Sequence, residues 1–132
     1  MTATVETTVL ALAGLLACIQ LIHMAVLANL QVGSTYLAGP RDEQRPLQGR
    51  AARLQRAYQN MIEGLVLFGI AVLAVALSGA SGWLTQACAV TFLIARIVYV
   101  PLYATGAAPW RSVVWGVGFL ATLAMLIAAA TA

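Results

Sequence analysis

Residues 57–77 read AYQNMIEGLVLFGIAVLAVAL, and this stretch decides the class of fold. It has about the length, roughly 20 residues, that an α-helix needs to cross the hydrocarbon core of a bilayer. Glu63 is its only charged residue. The surface helices of soluble proteins carry a charged face along their whole length, which this stretch lacks. It is therefore predicted to span a membrane.

Three further apolar stretches of similar length are separated by polar or glycine-containing breaks. Together the four stretches predict helices at about residues 9–30, 47–77, 83–103 and 109–130. Apolar residues make up 62% of the chain and charged residues only 8%. So few charges cannot cover a soluble domain, whereas a bilayer accepts an apolar surface. We expect an all-α fold, an integral membrane four-helix bundle, with residues 1–132 forming a single domain.

The distribution of arginine predicts the orientation in the membrane. All seven basic residues are Arg. The first loop and the start of the second helix hold Arg41, Arg45, Arg50, Arg53 and Arg56, and Arg111 follows the third loop. Because cytoplasmic flanks are enriched in basic residues, we expect both termini to face the periplasm or lumen and the polar site to lie near the cytoplasmic face. The expected location is a bacterial inner membrane, with both termini then periplasmic. The net charge of +3 reflects this orientation, and we expect no nucleic-acid partner.

The second predicted helix carries a polar stripe in the run RLQRAYQNMIE, residues 53–63. Its members, three or four residues apart, are Arg53, Arg56, Asn60 and Glu63. This spacing places the four side chains on one face of a helix. A polar face that enters hydrocarbon must face protein or a water-filled cleft, so the stripe predicts a binding site.

The third predicted helix repeats this arrangement with Arg96, Tyr99 and Tyr103. On a rise of about 1.5 Å per residue, Arg96 and Glu63 lie at similar depths below the same membrane face. A lone charge at such depth costs at least about 2.5 kcal/mol, which pairing reduces. The sequence therefore predicts an ion pair between Glu63 and Arg96, within one chain or across subunits.

The fourth predicted helix opens with Pro109, Trp110, Arg111 and Ser112. The positive end of a helix and its unpaired amides favour an anion, and an added Arg strengthens that preference. Arg111 and Ser112 are therefore candidates for binding a thiolate or carboxylate. In the alternative interpretation, Arg111 reaches lipid headgroups while the tryptophans anchor the helix at the interface.

Metal binding and disulfide formation are not predicted. His23 lies on the first predicted helix without a nearby Cys or carboxylate at ligand spacing, so we interpret it as structural. Cys18 and Cys88 both fall inside apolar runs, where packing is the expected role.

These polar residues, the length and the four spans resemble those of the MAPEG superfamily, the membrane-associated proteins of eicosanoid and glutathione metabolism, and most closely a bacterial member like the microsomal glutathione transferases. The resemblance implies a homotrimer with glutathione held between subunits. By similarity, the glutathione-binding residues are Arg53, Arg56, Asn60, Glu63, Tyr99 and Tyr103. Arg96 and Ser112 are added to this set by their positions, and Arg111 would stabilise the thiolate as the catalytic residue.

The sequence also departs from the family pattern. The first helix ends in Asn29, Leu30 and Gln31, where family enzymes often carry a basic residue, and Trp115 stands where several carry a Tyr. These departures favour a glutathione transferase or peroxidase acting on lipophilic electrophiles over an eicosanoid synthase. Two alternatives remain: a noncatalytic bundle that binds lipid or a partner, and a small multidrug exporter that would use Glu63. The arginines around Glu63 are unfavourable for a cationic substrate of such an exporter.

Overall fold

The computed structural model describes residues 2–132, and every regular element in that range is helical. The elements are α1 (Val5–Val32), α2 (Ser34–Ala38), α3 (Gly49–Ser78), α4 (Trp83–Thr105) and α5 (Ala108–Ala130). The helices α1, α3, α4 and α5 correspond to the four predicted spans. The predicted all-α class is confirmed.

The four long helices have the length and composition of membrane spans. Their most apolar 18-residue windows have mean hydropathies of 1.8 to 2.3. At about 1.5 Å per residue, even the shortest exceeds the roughly 30 Å thickness of the hydrocarbon core. Many large apolar side chains on their outer faces are exposed, Leu30 and Leu77 to 80% each. This outer surface suits lipid rather than water, and the protein is an integral membrane protein.

The helices differ in detail from the sequence prediction at their ends. α1 begins at Val5, earlier than the predicted residue 9, because Thr4 caps it in a reciprocal pair of hydrogen bonds with Thr7. α3 begins at Gly49, and α2 is a short helix that was not predicted. α3 and α4 are followed by Gly79 and Gly106, whose positive φ angles of 72° and 76° form left-handed caps that favour glycine.

α3 and α4 form the middle of the bundle. Both contact α1 on one side and α5 on the other. Phe68 of α3 stacks on Phe92 of α4 with ring centroids 4.0 Å apart, and both rings are buried. Small residues such as Ala13, Ala57 and Ala89 are fully buried, which lets the helix backbones approach closely, as is usual between membrane helices.

The up-and-down order of the long helices gathers polar residues at both ends of the bundle. One end, which we call the arginine end, collects the start of α3, the end of α4 and the start of α5. The opposite end holds Glu6, Ser81 and Thr85, which we call the Glu6 cluster. The predicted site residues belong to the arginine end.

Candidate functional site

A cavity of about 400 Å³ opens between α3, α4 and α5 at the arginine end, and we call it the polar cavity. It is lined by Arg56, Gln59, Asn60, Glu63, Tyr99, Tyr103, Arg111, Ser112 and Trp115. These include every residue that the sequence predicts for the site except Arg53 and Arg96. Gln59 and Trp115 also line the cavity, although the sequence did not predict either of them for the site. Three separate helices thus bring most of the predicted set to one place.

α3 forms one wall of the polar cavity because its polar residues recur at helical spacing. Arg56, Asn60 and Glu63 follow one another after four and three residues and therefore share one face. Asn60 is half-buried, whereas Arg56 and Glu63 are exposed. The side chain of Glu63 makes no hydrogen bond or ion pair with any residue from 2 to 132. Its carboxylate is free to receive a cationic group.

Tyr103 connects the arginines of two different helices. Its hydroxyl accepts a hydrogen bond of 3.2 Å from Nε of Arg56. The guanidinium of Arg111 lies over the Tyr103 ring, 4.6 Å from its centroid, in a cation–π contact. The ring of Tyr99 lies 5.5 Å away and supports that of Tyr103. Both arginines are held in position without a carboxylate partner in the described chain, so their remaining donors are available to an anion.

The predicted ion pair between Glu63 and Arg96 is wrong within the chain. The ion pair found among residues 2–132 instead joins Arg45 and Glu43. Arg96 is only 3% exposed and donates from Nη1 to Oδ1 of Asn60 at 2.9 Å. The guanidinium also lies over the Tyr99 ring at 4.6 Å. Equal depth in the membrane does not bring two side chains together when one points into the bundle and the other outward.

Nη2 of Arg96 has no hydrogen-bond partner, although the atom is buried. A buried unpaired donor is costly, so such groups are uncommon in folded proteins. Arg96 holds Asn60, which lines the polar cavity, and does not line that cavity itself. It therefore acts on the polar cavity through Asn60.

Arg53 also lies outside the lining of the polar cavity. Its Nε donates a hydrogen bond of 2.9 Å to the carbonyl oxygen of Ala104, near the end of α4. A cation that binds a carbonyl at a helix C-terminus complements the negative end of the helix. The geometry gives Arg53 a role in joining α3 to α4.

The start of α5 offers fewer free amides than expected. Pro109 occupies the first turn and has no N–H. The amide of Arg111 already donates to the carbonyl oxygen of Ala107 at 3.1 Å. The positive charge at this point of the polar cavity therefore comes mainly from the Arg111 guanidinium. Ser112 lines the cavity beside it with an exposed side chain.

A smaller space of about 120 Å³ adjoins the polar cavity, and we call it the apolar chamber. It shares Asn60, Glu63 and Trp115 with the polar cavity. The rest of its lining is Gly64, Leu67, Phe92, Arg96, Gly118, Phe119 and Thr122. The two spaces lie side by side between the same three helices, one polar and one mostly apolar.

A comparison with protein families identifies the group to which this sequence belongs. The profile described as the MAPEG family matches residues 9–131, nearly the whole chain. The chain belongs to the MAPEG family. The predicted resemblance is therefore confirmed at the level of the family, which includes glutathione transferases and peroxidases. No curated protein and no solved structure matches the chain.

The Glu6 cluster of this MAPEG protein was missed by the sequence reasoning. Glu6 is 1% exposed, and its Oε1 accepts hydrogen bonds from Thr85 at 2.6 Å and Ser81 at 2.9 Å. Oε2 has no partner. A carboxylate two residues after a capping threonine is ordinarily a solvated first-turn residue, and Glu6 was therefore not predicted to be buried. The signal that could have revealed it is the pair of hydroxyl residues at the same membrane face, Ser81 in the loop before α4 and Thr85 in the first turn of α4.

His23 and the acidic residues from 2 to 132 do not form a metal site. The side chain of His23 is exposed on α1, away from the polar cavity. Among residues 2–132, no group of three His, Cys, Asp or Glu side chains is placed to hold a metal ion. The candidate site of this MAPEG protein is thus the polar cavity together with its apolar neighbour.

Proposed function

We propose that the protein binds glutathione in the polar cavity and uses its thiolate against small lipophilic electrophiles, as a glutathione transferase or peroxidase. One observation carries this proposal. Arg56 and Arg111, on different helices, line the same cavity as the free carboxylate of Glu63. Membership in the MAPEG family supports the same ligand.

The chemistry of glutathione fits the residues present. The tripeptide carries two carboxylates and one ammonium group, and the cavity offers two unpaired guanidinium groups and one unpaired carboxylate. Guanidinium forks bind carboxylates with two parallel hydrogen bonds. The cavity volume of about 400 Å³ lies within the range of small-molecule sites, about 300 to 1,000 Å³.

Arg111 is the residue proposed to act on the sulfur. Its guanidinium, held over the Tyr103 ring, places a positive charge in the cavity, and Trp115 lies one helical turn further along α5. A nearby cation favours a thiolate over a thiol, and the thiolate is the nucleophile. When bound, glutathione would supply a sulfur that displaces a leaving group from carbon, or that takes the terminal oxygen of a hydroperoxide as the O–O bond breaks and an alcohol is released. Asn60, held by Arg96, supplies a neutral polar contact beside it.

The assembly and the membrane orientation belong to the same proposal. We infer a homotrimer in which residues 1–132 form one domain of each subunit, surrounded by membrane lipids. The arginine end would face the cytoplasm of a bacterium, and both termini the periplasm. The excess of Arg on one side supports this orientation. Native mass spectrometry in detergent tests the subunit number, and labelling of cysteines introduced at each end tests the orientation.

Titration calorimetry with glutathione tests the binding site. The wild-type trimer should bind glutathione, and Arg56→Ala should weaken binding about tenfold or more, because it loses a charge-assisted contact. Arg50→Ala is the matched control, since Arg50 is exposed on α3 and does not line the polar cavity. Equal affinity in all three proteins would remove the polar cavity as the binding site.

Turnover of 1-chloro-2,4-dinitrobenzene distinguishes the remaining alternatives. Formation of the glutathione conjugate supports the enzyme. Glutathione binding without turnover of this electrophile or of cumene hydroperoxide indicates the noncatalytic alternative. The exporter alternative is the least supported, because two arginines share the cavity with Glu63 and disfavour a cationic substrate.

A further inference from the structure

The apolar chamber changes in character along α5, from its mouth to its floor. Ser112 and Trp115 line the polar cavity, and Gly118, Phe119 and Thr122 follow Trp115 after three, four and seven residues. This spacing places them on one helix face. Trp115 and Thr122, the outermost residues of α5 that line the chamber, are about 10 Å apart at 1.5 Å per residue, so the chamber extends from the polar cavity toward the membrane interior.

The lower walls of the chamber are kept apolar. The hydroxyl of Thr122 donates to the carbonyl oxygen of Gly118 at 3.0 Å within α5, so its hydrogen-bonding capacity is used inside the helix. Phe92 is buried and fixed by its stack on Phe68. The charged and amide side chains that line the chamber are Asn60, Glu63 and Arg96. Asn60 and Glu63 also line the polar cavity, whereas Arg96 lines the chamber alone.

Gly118 keeps the chamber open. A Cβ atom built on Gly118 would lie 3.5 Å from Cβ of Ala95 and 3.7 Å from Cδ2 of Phe92, which is ordinary contact. Alanine therefore fits at this position, and the absence of a side chain is not required by backbone conformation or close helix packing. A longer side chain would extend into the space beside Phe92. The glycine thus leaves volume that a larger residue would remove.

We propose that the apolar chamber binds the apolar group of the electrophile, and that it selects electrophiles whose apolar group is about the size of one six-membered ring. This proposal rests on the proposed function and adds the substrate class. Cavities of about 150 Å³ lined by aliphatic and aromatic side chains bind benzene. The chamber, at about 120 Å³, is of the same order. It encloses a substituted ring or a short branched alkyl group, and it is too small to enclose a long acyl chain.

The two adjoining spaces account for both reactants. An apolar ring in the chamber presents its reactive substituent past Trp115 toward the end of the polar cavity where Arg111 lies. Holding two reactants in adjacent sites raises the rate of a bimolecular reaction through proximity. The chamber is formed within one chain, so this selection is a property of α3, α4 and α5.

Binding in the chamber can be measured without turnover. The variant Trp83→Phe/Trp110→Phe leaves Trp115 as the only tryptophan, and the two replaced residues are exposed and line neither space. Nitrobenzene should quench Trp115 fluorescence saturably, because it occupies a defined site beside the indole. Random collisions, or a chamber filled by lipid, would instead give quenching that rises linearly with the concentration of nitrobenzene. That result would overturn the proposal.

Filling the chamber gives the second measurement. Gly118→Leu should weaken saturable nitrobenzene quenching and lower kcat/KM for 1-chloro-2,4-dinitrobenzene by at least about tenfold. One added methylene in a hydrophobic pocket changes substrate discrimination by about 10- to 200-fold. Gly118→Ala should have the same effects to a smaller extent. Gly116→Leu is the matched control, because a side chain there meets nothing within 4 Å. If Gly118→Leu does not assemble, Gly118→Ala decides, since its Cβ fits. Equal quenching and turnover in Gly118→Ala and wild type would overturn the proposal.

Glutathione calorimetry separates this proposal from the proposed function. Gly118→Ala and Gly118→Leu should bind glutathione as the wild type does, because Gly118 does not line the polar cavity. Saturable nitrobenzene quenching without any glutathione binding would leave the chamber in place and remove the proposed function. Glutathione binding and turnover that do not change when Gly118 is substituted would remove the proposal for the chamber and leave the proposed function in place.

Discussion

The bundle has polar clusters at both ends, and they differ in how their hydrogen-bonding groups are used. At one end, Glu6 is buried and receives hydrogen bonds from Ser81 and Thr85. At the other end, Arg56 and Arg111 are held by Tyr103 and keep unpaired donors toward an open cavity. The first arrangement is closed and joins helices, whereas the second is open and can receive a ligand.

This difference indicates how polar groups in a membrane bundle can be assigned to structure or to binding. A buried polar group in hydrocarbon costs free energy unless it is paired. Glu6 reduces this cost through hydrogen bonds inside the chain. The residues of its cluster do not line the cavities at the arginine end. Arginines that remain available beside about 400 Å³ of space are better explained by a ligand. The following predictions test that distinction, beginning with the largest expected effect.

Arg111→Ala should remove most of the catalysis at the open end. The loss of a positive charge next to the reacting sulfur should lower kcat for conjugation of 1-chloro-2,4-dinitrobenzene about 100-fold, the effect of removing one preorganised electrostatic contact. The thermal unfolding temperature should change little, because Arg111 makes no hydrogen bond from its side chain within residues 2–132. Unchanged kcat in folded Arg111→Ala protein would exclude a role for Arg111 at the sulfur.

Glu6→Ala should have the opposite profile. It removes two buried hydrogen bonds to a carboxylate, so the free energy of unfolding should fall by about 1 to 3 kcal/mol. Glutathione affinity should remain at the wild-type value. Glu43→Ala is the control, because Glu43 is exposed and pairs only with Arg45 at the surface, where such pairs contribute about 0 to 1 kcal/mol. Thermal unfolding monitored by intrinsic fluorescence measures both variants, and equal stability would show that the Glu6 cluster is dispensable.

Arg96→Met tests whether Arg96 positions Asn60 at the open end. Glutathione affinity should fall roughly fivefold, because Asn60 loses the donor that holds its Oδ1. Stability should change little, since the substitution also removes a buried, partly unpaired charge. Asn60→Ala should weaken binding to a similar degree, and the double variant should be no weaker than either single variant. Additive losses in calorimetry would show that the two residues act independently.

Salt should produce the smallest effect and only at the open end. Because the polar cavity is open to water, raising ionic strength from about 0.05 to 0.5 M should weaken glutathione binding by a few fold through screening. The stability contributed by the Glu6 cluster should not respond, because its carboxylate is buried. Calorimetry and thermal unfolding across the same salt series measure both. A salt-independent glutathione affinity would place the ligand outside the arginine end.

The sequence predicted the all-α class and the four spans because long apolar runs leave no other solution in a bilayer. It also identified most residues of the polar cavity, since the spacing of Arg56, Asn60 and Glu63 predicts that they share one helix face. These predictions depend on periodicity within one helix, which can be read from the sequence of a single segment.

Contacts between helices were less predictable. The Glu63 to Arg96 pair was inferred from depth alone, and depth does not specify how each helix is rotated about its axis. Asn60, one turn from Glu63 on the same face, is the residue that reaches Arg96. The Glu6 cluster was missed for a related reason, because its partners are 75 and 79 residues away in the chain. The apolar chamber depends on the joint shape of three helices and has no signature in any one of them.

The most direct measurement is an experimental structure of the protein in a lipid nanodisc with saturating glutathione. Ligand density should lie between α3, α4 and α5, with the carboxylates of glutathione on the guanidinium of Arg56, its ammonium near Glu63 and its sulfur beside Arg111. Density at any other place, with Arg56 and Arg111 turned toward phospholipid, would contradict the account.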